Sequence, residues 1–161
     1  MSNDFYKNTI LPYEGIIIKI CRTYTDNEDD FKDFYQEVCL QIWKSKSNFK
    51  GNSAWSTWVY RICLNVCLTL LKKKDIKKQR LDSNSASIPE SLENLDDKNE
   101  EVKRLYRAIK KLSEIDRAFI LLYLEEKSYK EIAQIMGTTV TNVGAKISRI
   151  KKRLEKLYYE S

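Results

Sequence analysis

SYKEIAQIMGTTVTNVGAKISRIKKR, residues 128–153, is spaced as two short helices meeting at a single glycine. Ser128 and Glu131 make an S-x-x-E capping box, the local signature of a helix start. Ile132 and Met136 then face a core, Ala133 is small where two helices cross, and Gly137 can adopt the left-handed backbone the turn requires. The second helix is expected to begin at Thr139 or Val140. It offers Thr141, Asn142, Lys146, Ser148 and Arg149 beside the buried-type residues Val143, Ile147 and Ile150. Such a helix suits the major groove of duplex DNA, where side-chain donors meet base edges. A plain αα-hairpin with a basic solvated face is the alternative, but four independent signals agree over one window.

Composition narrows the setting. The chain has 161 residues, a formal net charge of +6, four cysteines and no histidine. No stretch is apolar for long enough to span a membrane. The N-terminus carries Asp4 early, and its apolar run is broken by Pro12, Glu14 and Lys19, unlike a secretory signal. Residence in the cytoplasm is therefore expected. Cys63 and Cys67 lie four apart on one predicted helix, with no CxxC pair and no histidine to complete a zinc set, so the cysteines read as small apolar core residues and no metal is expected.

Charge is unevenly placed along the chain. Lys72, Lys73, Lys74, Lys77, Lys78 and Arg80 form one basic block, and Lys146, Arg149, Lys151, Lys152, Arg153 and Lys156 form another. Between them, Asp82 to Glu101 holds seven acids against Lys98 alone. Two basic helices suit two phosphate contacts on one nucleic acid, while the simpler account is solvation of helix ends. The intervening LDSNSASIPESLENLDDKNE lacks an apolar period and reads as a linker. Helical spacing on both sides, with no alternating β-branched run, predicts an all-α chain of two small helical domains. The expected boundaries are 1–75, a linker over 76–100, and 101–161.

In the first half, EDDFKDFYQEVCLQIWK (28–44) places Phe31, Phe34, Tyr35, Val38 and Ile42 on one core face. Asp33, Gln36, Glu37, Leu40 and Trp43 repeat the rhythm on another side. Apolar anchors rimmed by acids suit a protein partner, although a wide core stripe would also account for Leu40 and Trp43. FKGNSAWSTWVYRICLN (49–65) then makes a turn at Gly51 and Asn52 and starts a helix near Ser53. Its expected apolar positions are Trp55, Trp58, Val59, Ile62, Val66 and Leu70. Thr57, Arg61 and Asn65 fall opposite, in a row with Lys72, while the preceding loop adds Lys50, Asn52 and Ser53. Aromatic faces beside short polar groups suit unpaired bases. Trp58, and Trp55 with it, also fits an ordinary core.

These three stretches, DFYQEVCLQIWK, FKGNSAWSTWVYRICLN and SYKEIAQIMGTTVTNVGAKISRIKKRL, closely resemble bacterial extracytoplasmic-function sigma factors, the small two-domain branch of the sigma-70 family. The resemblance covers most of the chain and keeps the motif order. It implies a sigma-2-like helical bundle and a sigma-4-like helix-turn-helix domain, with no catalytic residues and no cofactor. By that analogy Asp33, Gln36, Glu37, Leu40 and Trp43 dock on the clamp helices of core RNA polymerase. The loop Lys50 to Ser53 captures a flipped base of the promoter minus-10 element, which Thr57, Tyr60, Arg61, Asn65 and Lys72 also contact. The helix Val140 to Arg153 reads the minus-35 element, with Thr139, Thr141, Asn142, Lys146 and Arg149 as reader candidates, while another surface meets the polymerase flap. The resemblance also implies a cognate anti-sigma factor, often membrane-bound, without insertion of this chain itself.

Several positions depart from the family pattern. Leu64 stands where arginine is common, Lys72 to Lys74 replace an arginine-rich run, and Asn142 and Gly144 stand where threonine and lysine are common. Lysine keeps charge but loses bidentate geometry. Promoter sequence is therefore not transferable by analogy. The rival reading, a stand-alone helix-turn-helix regulator, uses the C-terminal half but leaves the acidic-apolar stripe and aromatic loop without a role.

Overall fold

A computed structural model describes the backbone of residues 3–51, 54–81 and 99–160, with side chains described through residue 77 in the second of these segments. The chain divides into two compact units, Met1–Ser91 and Leu92–Ser161.

The first unit opens with the short helical turns Asn3–Phe5, Tyr6–Ile10 and Leu11–Tyr13, then has helices α1 (Glu14–Thr23), α2 (Glu28–Ser45) and α3 (Trp55–Leu81). Asn27 caps α2 by accepting the Asp30 N–H at 2.8 Å, and three acids, Glu28, Asp29 and Asp30, follow at the positive end of the helix dipole. Arg22 closes the α1–α2 corner, pairing with Glu28 at 2.7 Å while its guanidinium lies 3.8 Å from the Phe31 ring centroid. All three helices pack on one another around Ile17, Ile20, Val38, Ile42, Val59 and Cys63.

The expected core face of α3 is turned. Its buried residues are Thr57, Val59, Tyr60, Cys63, Leu64 and Cys67, whereas Trp55, Trp58, Ile62, Val66 and Leu70 are only half-buried. Sites where helices cross closely favour small or narrow side chains, so threonine and cysteine take the centre and the indoles sit at its margin. The helix also runs to Leu81, past the expected linker start at 76, since nothing between Lys72 and Leu81 breaks a helix. Most of the expected linker, 82–98, lies outside the described residues.

The second unit contains α4 (Glu100–Lys110), α5 (Glu114–Leu124), α6 (Tyr129–Met136) and α7 (Val140–Glu160). Asn99, Ser113 and Ser128 cap the first three, each accepting a backbone N–H from the following turn. The core joins Ile109, Phe119, Leu122, Ile132, Ile147 and Ile150, and α7 packs against each of α4, α5 and α6. Ile135 is buried where Met136 was expected; Met136 is half-buried.

Candidate nucleic-acid interface

The α6–turn–α7 segment is built from its caps outward. Ser128 Oγ accepts the Glu131 N–H at 3.1 Å and Glu131 Oε1 accepts the Ser128 N–H at 3.1 Å, completing the box. The hydrogen bond from Ser128 N–H holds the Glu131 carboxyl below its ordinary value. Gly137 ends α6 at φ 69° and ψ 42°, the left-handed geometry that costs glycine nothing. Val143, Ile147, Ile150 and Leu154 then anchor α7 to the core at helical spacing.

That anchoring decides which α7 side chains point outward. Thr141, Ser148 and Arg149 are exposed, and Lys151, Lys152, Arg153 and Lys156 continue the basic surface. Thr139 is exposed too, but its Oγ1 accepts the Asn142 N–H at 3.1 Å, a cap that makes it a helix starter. Asn142 is half-buried, with Nδ2 donating to Thr138 Oγ1 at 2.7 Å. Lys146 is half-buried, its Nζ 5.3 Å from the Phe119 ring centroid, and Lys151 lies 4.2 Å from that of Tyr123, whose hydroxyl raises the lysine's proton affinity. Of Thr141, Asn142, Lys146, Ser148 and Arg149, the exposed side chains are Thr141, Ser148 and Arg149. Ser148 was singled out on the helix without being placed among the readers, and its exposure beside Arg149 is the signal that adds it.

In the first unit, Phe49 packs edge-to-face on Trp55 and Trp58, at centroid separations of 5.0 and 5.5 Å. The aromatic cluster abuts a turn in which Lys50 and Gly51 are exposed and Gly51 has φ +75°. Asn52 and Ser53, expected in the same loop, lie outside the described residues. Along α3, Asn65 and Lys72 are exposed and Arg61 is half-buried. Thr57, expected in the polar row, and Tyr60, which the resemblance implied as a DNA contact, are instead buried, at 4% and 6% exposure. Because the core face is turned, these two side chains support the helix from inside and do not stand on its outer surface. Leu64 is 2% exposed and belongs to the same buried stripe.

On α2, Asp33 and Gln36 are exposed, Leu40 is 38% exposed, and Glu37 is half-buried. Trp43 is half-buried under the Phe5 ring, with Lys46 Nζ 3.7 Å from its centroid. A groove of about 360 Å³ runs between α2 and α3, lined by Glu37, Gln41 and Ser45 on one side and by Asn65, Thr69 and Lys73 on the other. Gln41 Nε2 donates to Glu37 Oε1 at 2.8 Å across its wall. The fold thus sets Glu37, assigned to a protein partner, beside Asn65, assigned to DNA. Gln41 and Thr69 escaped the sequence reading, although each lies four residues beyond a residue it named.

Comparison with known proteins follows the same division. The Sigma-70 region 2 pattern matches residues 10–76, and the Sigma-70, region 4 pattern matches residues 103–154. The chain is 30% identical over 159 residues to the ECF RNA polymerase sigma-E factor of Haemophilus influenzae (strain ATCC 51907 / DSM 11121 / KW20 / Rd), covering 89% of this chain and 82% of that one. It is 29% identical over 171 residues to the ECF RNA polymerase sigma factor SigG of Mycobacterium tuberculosis (strain ATCC 25618 / H37Rv), covering 89% of this chain but only 46% of SigG, so it spans about half the length of that relative. Its fold resembles that of the sigma factor RpoE from Bartonella quintana, solved with the anti-sigma factor NepR, at a TM-score of 0.77, 21% identity and 97% coverage of each chain.

Proposed function

The chain belongs to the extracytoplasmic-function sigma factors of the sigma-70 family, and from that membership we propose that it binds core RNA polymerase, directs it to a promoter and opens the DNA there. The observation that carries the proposal is the outward stripe of α2, where Asp33, Gln36 and Leu40 stand exposed on a helix whose other face is already committed to the core. A stand-alone regulator has no use for such a stripe. Polymerase docking does, because an apolar anchor with a charged rim supplies both affinity and register. In this role Asp33, Gln36, Glu37, Leu40 and Trp43 meet the clamp helices, and the second unit meets the flap.

DNA engagement divides between the units. Lys50, Asn52 and Ser53 take a base extruded from the minus-10 element, at an unstacking cost of a few kcal/mol that contacts with the pocket and the polymerase must offset. Arg61, Asn65 and Lys72 hold the neighbouring strand, and the exposed face of α7 enters the minus-35 major groove. The role is non-catalytic: the protein positions and melts DNA and leaves bond making to the polymerase. Among the described residues no helix is long and apolar enough to cross a membrane, which fits work in the cytoplasm beside the polymerase. That the Bartonella relative was solved with an anti-sigma factor supports control of this chain by a partner of that kind.

The test pairs two substitutions with two readouts. Asp33→Lys with Glu37→Lys should abolish core-polymerase binding and promoter-directed runoff transcription, because like-charge juxtaposition at an interface costs several kcal/mol. Binding of the isolated variant to DNA should not be weakened, since the change adds positive charge. Retained polymerase binding in the variant, or a wild-type chain that drives no runoff from any promoter of its genome, would sink the proposal.

A further inference from the structure

The first unit holds a cluster that the proposed function does not use. Cys21 comes from the last turns of α1, and Cys63 and Cys67 lie one helical turn apart on α3. All three are 0% exposed, and their sulfurs lie within 4.8 Å of one another, with Cys21 and Cys67 3.9 Å apart. All are free thiols. The sequence shows only the Cys63–Cys67 pair; packing of α1 on α3 supplies the third sulfur.

We propose that Cys21, Cys63 and Cys67 form a three-thiol site for a trivalent thiophilic ion of the arsenite class. The geometry suits three-coordination. Trivalent arsenic keeps a lone pair and binds three thiolates as a pyramid, so bonds of about 2.3 Å set the sulfurs about 3.5 Å apart. Cys21 and Cys67 start 3.9 Å apart and every pair lies within 4.8 Å, so side-chain adjustments of at most about 1.3 Å close the site.

Charge selects the ion. Three thiolates would put three negative charges in an apolar core, a severe desolvation cost unless the ion cancels them. Monovalent copper leaves two negative charges and divalent zinc leaves one; zinc also seeks a fourth ligand. A trivalent ion leaves none. The nearest cation in sequence, Arg22, is already committed to Glu28 and the face of Phe31. The reaction needs no oxidant: As(OH)3 plus three Cys thiols gives As(S-Cys)3 plus three waters, each S–H proton leaving on a hydroxyl from arsenic. A disulfide between Cys21 and Cys67 would leave the third convergent thiol unexplained.

The full-length reduced protein is titrated with sodium arsenite and followed by native mass spectrometry and near-ultraviolet absorption. The expected result is one adduct, heavier by one arsenic less three hydrogens, with a sulfur-to-arsenic charge-transfer band. Cys21→Ala, Cys63→Ala and Cys67→Ala should each weaken binding by about 100-fold or more, the scale of gain lost when one tethered contact is removed. Cys39→Ala should bind as the parent does. X-ray absorption at the arsenic edge of the parent protein should show three sulfur neighbours and no oxygen, an outcome independent of how well any variant folds. Absence of an adduct, a two-sulfur shell, undiminished binding in Cys21→Ala, or preferential one-to-one uptake of zinc or monovalent copper from an equimolar mixture would each overturn the assignment.

Discussion

The two glycines of the helix-turn-helix should respond in opposite directions to the same substitution. At Gly137 the backbone is left-handed, φ 69° and ψ 42°, where a β-carbon costs about 1–2 kcal/mol. Stiffening the unfolded chain returns about 0.4–1 kcal/mol, so Gly137→Ala should lose roughly 1 kcal/mol. Gly144 sits inside α7, and an added β-carbon there would meet only the Tyr129 ring, at 3.6 Å, an ordinary contact. Gly144→Ala should therefore gain about 0.5–1 kcal/mol from helix propensity alone. The variants then differ by roughly 1.5–2 kcal/mol, which at about 4–8 °C per kcal/mol for a domain this small is a Tm gap of roughly 6–16 °C. Far-ultraviolet circular dichroism of the full chain would measure it. Trp43, Trp55 and Trp58 all lie in the first unit, so tryptophan fluorescence supplies the internal control and should melt unchanged in both variants. A Gly137→Ala protein as stable as the parent, or a Gly144→Ala protein that melts lower, would refute the reasoning.

Three further outcomes follow from single contacts. Leu64→Arg should destabilise the first unit by about 3–5 kcal/mol, because the charge would enter a buried stripe without a partner; a parent-like tryptophan-fluorescence melt would place Leu64 on the surface instead. Glu131 is held below its ordinary 4.5 in the folded state, so its contribution is complete above that value and disappears as pH falls through the depressed one. Glu131→Gln should flatten the acid limb of the second unit's stability curve, and an unaltered limb between about pH 6 and 3 would show that the capping box carries no such linkage. On minus-35 duplexes, Arg149→Ala should relax preference at one base pair by about 1–3 kcal/mol, whereas Lys152→Ala should weaken all sequences alike and lower the salt slope by about one; the reverse assignment in a salt-titrated binding series would exchange their roles.

How much of this was legible depended on the range of the signal. The capping box, the turn glycine and the Val143–Ile147–Ile150 stripe are local, each decided by a few neighbouring residues, and they appear where the spacing placed them. The face of α3 depended on how three helices cross. Hydrophobicity favoured Trp55 and Trp58 for the centre, but the crossing admitted Thr57, Cys63 and Cys67, and Thr57 and Tyr60 moved from the expected DNA row into the core. The third thiol was equally hidden, since Cys21 reaches the pair only through tertiary packing. Among the proposed base readers, residue type was legible but engagement was not: Thr139 and Asn142 look available in sequence, yet both are joined in the start of α7.

Helix α7 is both the outward-facing element and the spine on which α4, α5 and α6 all rest. Re-aiming it would disturb every packing surface of its unit at once, so its inclination is effectively frozen by the fold. Thr141, Ser148 and Arg149 carry no such burden on their exposed side. In the proposed role, a change of DNA preference therefore needs only an exchange of these side chains on a stationary rod, with the packing behind it left intact.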